Sequence, residues 1–377
     1  MIYRQLGRTG LKVSQLGFGA MRLPMVGEGE GATVNRELAI PMIHRAFEAG
    51  VNYIDTAVGY CNYDSQRAVG EALKGWRDRI IVSTKNPYYG EDEKEWWGNL
   101  EQSLERLQIT RVDVYNHHGL SWKAYEEQVE PRVSKWMKRA KDQGLIRHIC
   151  FSFHDNNEAL MKLAGTGYGD AATVQYNMLD RSLEKGIARA HEKGMGIVVM
   201  GPVGGGRLGS DNNVLSALVP EIRRVPELAL RFVLANPNVS VALSGMATMK
   251  MVEENVLIAS DPRNLTAEEY AAIDAHLNRL KGMAELYCTA CGYCKPCQAG
   301  IDIPRVFDLY NRGRIYGIWD SAREEYRCMP AAQWFPAPHA TDCTQCGECE
   351  EKCPQKISIR AQLGEAHDAL MSTGKNA

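Results

Sequence analysis

At 377 residues, 45% hydrophobic and 24% charged, the chain has enough apolar material for one large domain plus a small one, and global disorder is excluded. A formal net charge of −2 argues against nucleic acid or a membrane surface as a partner. The opening MIYRQLGRTGLKVSQ lacks the apolar run of a secretory signal, and no stretch approaches the ~20 apolar residues that span a bilayer, so a soluble, cytoplasmic protein is expected.

Short apolar runs then alternate with amphipathic stretches. Strands are predicted at LGFGA (16–20), VNYIDTA (51–57), IIVSTK (80–85), VDVYNHH (112–118), RHICFS (147–152), ATVQYN (172–177), GIVVMGP (196–202) and VSVALSG (239–245). Each is brief, bounded by Gly or polar residues and rich in Val, Ile or aromatics, as strands buried on both faces should be. Between them, Trp97, Leu100, Leu104 and Leu107 mark a helix over 95–107, and Tyr125, Val129, Val133 and Met137 mark one over 124–142. Gly50, Gly75, Gly144 and Gly194 stand just past helical stretches, where a left-handed cap is wanted. Eight strand–helix units over about 245 residues predict an α/β fold, a closed (β/α)8 TIM barrel spanning 1–275. The alternative, a doubly wound sheet, wants a Gly-rich fingerprint after its first strand, and LGFGAMRLP does not continue as one.

Past residue 276 the character changes to a small, mostly helical module, 276–377, with helix expected over 304–327. Eight of the eleven cysteines lie there in two groups: Cys288, Cys291, Cys294 and Cys297, then Cys343, Cys346, Cys349 and Cys353 followed by Pro354. Repeated C-x2-C spacing in a long chain without a signal argues for metal-bound thiolates rather than a disulfide framework. The second group follows the C-x2-C-x2-C-x3-C-P run of bacterial iron–sulfur proteins, whereas the first closes with x2. One or two 4Fe-4S clusters are expected, with zinc as the alternative occupant of a thiolate quartet.

Active sites of such barrels lie at the C-terminal ends of the strands. There the chain offers Asp55, Tyr60, Lys85 and His118. A tyrosine, reference pKa ~10, is a poor acid at neutral pH unless its phenolate is stabilised, and an adjacent ammonium does that. Asp55 would hold Lys85, Lys85 would activate Tyr60, and His118 would orient a carbonyl, giving general-acid catalysis of carbonyl reduction or its reverse. Taken singly, each residue has an ordinary structural explanation; four matching types on three successive strand ends favour catalysis. His117 is expected to support its neighbour rather than react.

GVNYIDTAVGY, STK and VDVYNHHGL resemble the aldo-keto reductase motifs, and similarity runs from RQLGRTGLKVSQLGFGAMRLP to VEENV near residue 256. The resemblance implies that Asp55, Tyr60, Lys85 and His118 form the catalytic tetrad. It also implies a nicotinamide cofactor, NADP or NAD, bound without a Rossmann fold. Ser152 and Gln175 match positions that hydrogen-bond the carboxamide, with Asn177 nearby. The loops GPVGGGRL, containing Gly201 and Arg207, and SGMATMKMVEENV, containing Gly245, Lys250, Glu254 and Asn255, would meet the phosphates and the adenine end. Met200 stands where many relatives stack an aromatic ring. Gly245 and Met251 stand where NADPH-specific relatives carry a basic pair. The cysteine module resembles the ferredoxin-like 4Fe-4S dicluster domain fused to some members of the family.

Together these features predict an NAD(P)(H)-dependent oxidoreductase acting on a small-molecule carbonyl or alcohol. The alternative is a redox-sensing or electron-relay protein whose barrel binds nucleotide without efficient turnover. A hydride carries two electrons and an iron–sulfur cluster accepts one. The clusters therefore either clamp the module or serve an electron-transfer partner such as a ferredoxin or flavoprotein; a substrate reacting by one-electron steps is a third reading. Eight cysteines exceed what a staple needs, which favours electron transfer. Substrate-shaping loops rich in Tyr and Trp (YCNYDSQ, NPYYGEDEKEWW, HGLSWKAYEEQ) suit a sugar or an aromatic ring, and equally suit packing.

Overall fold

Short runs buried on both faces can satisfy their backbones only by pairing on both edges, and a closed ring of parallel strands does this with no edge left over. The computed structural model describes the chain apart from residues 220, 223, 286–287, 289–291, 334, 354–356 and 373–377, and only the backbone of residues 30 and 281–285. Strands β1 (Leu16–Gly19), β2 (Tyr53–Asp55), β3 (Ile81–Asn86), β4 (Val112–Leu120), β5 (Ile146–Phe153), β6 (Ala171–Gln175), β7 (Gly196–Met200) and β8 (Val241–Ser244) form a closed parallel barrel. Each pairs with its neighbour in sequence, and β8 returns to β1 through Ala242 opposite Leu16. All eight expected runs are strands. The barrel is the (β/α)8 fold anticipated from their spacing.

The intervening helices are α1 (Arg36–Glu48), α2 (Ser65–Ala72), α3 (Glu93–Leu107), α4 (Ser134–Asp142), α5 (Asn157–Thr166), α6 (Glu184–Glu192), α7 (Val225–Ala235) and α8 (Met249–Ser260). Local chemistry sets their ends. The Asp92 carboxylate accepts from Lys94 N at 2.8 Å to cap α3, Glu93 and Glu95 occupy its positive first turn, and Arg106 its negative last turn. Gly50, Gly75, Gly144 and Gly194 all have positive φ. The expected helix over 124–142 is regular only from Ser134. Tyr125–Val133 is a π-helix containing Pro131. Proline supplies no N–H and crowds the carbonyl four residues back, which the wider π turn accommodates.

An N-terminal antiparallel hairpin, Tyr3–Gln5 with Lys12–Ser14, precedes β1. Its Leu6, Leu11 and Val13 pack with the inward side chains Tyr53, Val114 and Cys150 of β2, β4 and β5. The lower barrel is therefore filled and closed by apolar residues. Because side chains alternate, the next inward positions on the same strands are Asp55, Asn116 and Ser152, so polarity begins one layer higher.

The chain forms two compact units: Met1–Gly204 with Ala229–Leu265, and Gly205–Leu228 with Thr266–Ala377. Residues 205–228, which follow β7 and include the first turn of α7, thus group with the C-terminal part. The second unit contains α9 (Ala267–Glu285), α10 (Ile303–Tyr316), α11 (Trp319–Cys328), α12 (Glu348–Lys352) and α13 (Ile359–Met371). Its core joins Phe307 and Leu309 of α10, Tyr326 of α11 and Leu363 and Leu370 of α13. Among the described residues, no helix is long and apolar enough to cross a membrane.

Candidate functional site

The four sequence-predicted catalytic residues converge at the C-terminal ends of β2 to β4. Lys85 and Asp55 are 2% and 4% exposed, and the Lys85 ammonium donates to Asp55 Oδ2 at 2.5 Å and to the Thr56 carbonyl at 2.9 Å. Ser83, also inward on β3, donates to Asp55 Oδ1 at 2.7 Å and itself accepts from Asn116 Nδ2 at 3.1 Å. A carboxylate and an ammonium this deep are tolerable only because each is paired and hydrogen-bonded. Burial opposes the Lys85 charge, but Asp55 and Tyr60 outweigh it and raise the ammonium above its ordinary value.

Tyr60 lies in the loop after β2. The Lys85 nitrogen is 4.8 Å from its ring centre, and the His118 ring stands edge-on to it at 6.0 Å. Burial and the neighbouring Lys85 charge push His118 down to about 4, so its imidazole is neutral at physiological pH. It offers one N–H and one lone pair beside the phenol. The cluster is therefore a proton-transfer group (Tyr60), a fixed charge beside it (Lys85), a counter-charge (Asp55) and a neutral hydrogen-bonding ring (His118).

The residues expected to meet a nucleotide lie along the neighbouring strand ends. The Ser152 hydroxyl accepts from Gly119 N at 2.8 Å. Gln175 ends β6, and its amide lies against Gly201, where an added Cβ would come within 2.6 Å of Gln175 Nε2. Asn177 donates to the Gly201 carbonyl at 3.1 Å and accepts from Leu179 and Asp180 N, which shapes the turn after β6. Met200 is half-buried at the end of β7. Beyond β8, Thr248 caps α8, Asn255 donates to Ser244 Oγ at 2.9 Å, and the exposed Lys250 lies 3.8 Å from Glu254. Arg207 is exposed in the second unit.

Residues not singled out by the sequence join them. An added Cβ at Gly245 would lie 3.5 Å from the Arg22 side chain, so a second cation stands beside the loop that leads into α8. Arg22 comes from the loop after β1, and only closure of β8 onto β1 reveals the neighbourhood. His154, one residue past β5, donates its backbone N–H to the Leu120 carbonyl at 3.1 Å. Tyr89 donates to the His118 carbonyl at 3.0 Å. His117 faces outward, fully buried, its Nε2 2.6 Å from the Tyr168 hydroxyl.

In the second unit Cys294, Cys297, Cys343, Cys346 and Cys349 line one small pocket, together with Arg360. The last two cysteines of the first group thus share a pocket with the first three of the second. Cys288 and Cys353 pack against the same apolar core, and Cys291 lies outside the described residues. No disulfide links the described cysteines. Among the described residues, no group of three or more His, Cys, Asp or Glu side chains is gathered closely enough to hold a metal ion.

Residues 15–223 match the model of the aldo/keto reductase family, and residues 287–358 match that of the 4Fe-4S dicluster domain. The chain is 26% identical over 307 residues to the uncharacterized oxidoreductase YqkF of Bacillus subtilis, covering 72% of this chain and 95% of that protein. It is 26% identical to L-galactose dehydrogenase of Arabidopsis thaliana, covering 74% and 95%. Among solved structures, the holo form of aldo-keto reductase AKR11C1 from Bacillus halodurans superposes with a TM-score of 0.62 at 30% identity, covering 73% of this chain and 96% of that one. A closed eight-stranded barrel with a polar cluster at its strand ends, and matches of this extent, make the chain a member of the aldo/keto reductase family, an oxidoreductase carrying a 4Fe-4S dicluster domain in its C-terminal region.

Proposed function

We propose that the protein interconverts a carbonyl compound and an alcohol with NADPH or NADH, Tyr60 acting as general acid and base. The observation that carries this reading is the buried Lys85–Asp55 pair at 2.5 Å with the ammonium 4.8 Å from the Tyr60 ring. A bound nicotinamide supplies or accepts the hydride. The protein's part is the proton: Tyr60 donates it to the carbonyl oxygen, and Lys85 stabilises the negative charge that develops on the phenol oxygen. Asp55 and the Thr56 carbonyl keep Lys85 fixed, and neutral His118 donates a hydrogen bond to the same carbonyl oxygen.

The residues present fit a dinucleotide. Gln175 and Ser152 offer polar groups at the strand ends, Gly201 permits close approach, and the N-terminus of α8 with Arg22 and Lys250 suits phosphate. Replacing Tyr60 by Phe should lower carbonyl reduction at least 10²-fold while leaving nucleotide affinity within a few-fold, measured by fluorescence titration. Equal turnover in the Tyr60→Phe protein would remove Tyr60 from the mechanism.

The interleaved spacing assigns one cubane to Cys297, Cys343, Cys346 and Cys349 and a second to Cys288, Cys291, Cys294 and Cys353, and Cys294 and Cys297 both reach the pocket lined by the second group. This interleaving suits a two-cluster module that passes single electrons to a partner such as a ferredoxin or flavoprotein. Anaerobically purified protein should contain about eight iron atoms per chain, and Cys297→Ser should lower that count together with the signal of one cluster only. Zinc in place of iron would refute the electron-transfer role.

A further inference from the structure

We propose that Arg360 sets the reduction potential of the cluster assigned to Cys297, Cys343, Cys346 and Cys349, raising it against the opposing pull of Glu350. The inference rests on the electron-transfer reading above and deepens it to the residue pair that governs how readily that site takes an electron.

The loop that carries the second cysteine group is tied to this side chain at three points. Gln345 and Gly347 both have positive φ, 60° and 84°, and the Gln345 carbonyl accepts from Arg360 Nη1 at 3.3 Å. A Cβ added at Gly347 would lie 3.8 Å from the guanidinium carbon, so the arginine lies beside the residue that follows Cys346. Glu350, the residue after Cys349, supplies the third point. Its Oε2 accepts from Arg360 Nε at 3.0 Å and Nη2 at 2.8 Å, and its Oε1 from the Arg360 backbone N–H at 2.9 Å. Three bonds to one carboxylate fix the orientation of a side chain that is otherwise partly exposed.

The same side chain reaches the thiols. Arg360 is the second residue of α13, and with Leu363 it brings the N-terminal, partially positive end of that helix to the pocket lined by five cysteines. Glu348 is the other charged residue described there, and its carboxylate accepts from Gln298 and lies 3.4 Å from Lys352. Glu350 first, and then the Cys349 and Cys343 sulfurs, interact electrostatically with the guanidinium. Taking up one electron adds a negative charge among thiolates, a change that a fixed cation favours and a fixed anion opposes. An arginine keeps its charge at any working pH, so the effect needs no proton uptake. Arg360 and Glu350 therefore act with opposite signs, which a purely structural clasp would not do.

The test is a dye-mediated potentiometric titration of the anaerobically purified, iron-loaded, full-length protein, followed by electron paramagnetic resonance. Arg360→Gln should make the midpoint of one cluster signal more negative by about 59 mV, a tenfold change in the one-electron equilibrium, while the other signal moves much less. Arg360→Lys keeps the charge and should recover most of the loss. Glu350→Gln should move the same midpoint in the positive direction. Iron and sulfide are counted in every variant. Where Arg360→Gln loses iron, Glu350→Gln decides: a positive shift supports the proposal and its absence overturns it. An unshifted midpoint in iron-replete Arg360→Gln overturns it, as do shifts of the same sign in Arg360→Gln and Glu350→Gln. A parent protein that holds zinc, or whose clusters never take up an electron, overturns the electron-transfer reading and this inference with it.

Discussion

His117 and His118 are consecutive, yet alternation sends one outward into the packed layer and the other toward the barrel mouth. Burial pushes them down to about 3 and about 4 respectively. Unfolded, both take a proton near pH 6.5. Between pH 6.5 and the folded values the unfolded chain binds more protons, so stability falls as pH falls, by roughly 1.4 kcal/mol per pH unit for each imidazole. Urea midpoints at pH 7 and pH 5 should differ accordingly, and His117→Gln should reduce the difference. The buried pair makes a second residue-scale prediction. Lys85→Met leaves the Asp55 charge uncompensated and should cost about 3–5 kcal/mol, whereas adding Asp55→Leu should recover much of it. A double-mutant cycle by chemical denaturation measures both. Asp55, Tyr60, Lys85 and His118 were legible in the sequence because each occupies a strand end or the loop just after one. Arg22 and His154 were not, because their surroundings exist only once the ring of strands closes.

At the scale of elements, the turn after Tyr60 departs most from what its residues prefer. Cys61, Asn62 and Tyr63 have φ of 51°, 52° and 67°, three successive left-handed residues without a glycine. Left-handed geometry costs roughly 1–2 kcal/mol for a residue with a Cβ, and least for Asn. The turn is held from outside itself: Asn62 Nδ2 donates to the Gly29 and Ala32 carbonyls, and the Cys61 thiol to the Met21 carbonyl. Tyr63 is 62% exposed and makes no such anchor among the described contacts. Tyr63→Asn should therefore raise the melting temperature of the barrel by about 2 °C in calorimetry. The sequence predicted every barrel strand because length, β-branching and flanking Gly agree. It missed the π-helical start of the 124–142 helix, because the apolar spacing of Tyr125, Val129 and Val133 looks the same in either helix while Pro131 widens one turn.

For the whole molecule, the two compact units and their separate cores imply separate melting. The apolar core of the second unit is studded with half-buried thiols, so its stability should depend on what those thiols hold. Calorimetry of the iron-loaded protein should give two transitions, and removing iron with a chelator should lower or abolish one while shifting the other by no more than a degree or two. A single transition that moves as one on iron loss would show that the units unfold together.

The excursion at 205–228 makes the two units harder to take apart than a tail added to a barrel. Leu208, Leu215 and Val219 in that stretch are buried, and an added Cβ at Gly317 would come within 3.2 Å of Asn212, so the excursion leans on α10's end. A gene cut after codon 265 would thus leave a greasy flap hanging from an otherwise finished cylinder, and such a fragment should precipitate. Any lineage or engineer exchanging the cysteine-bearing part for another must rewrite this stretch as well, so the graft has two seams rather than one.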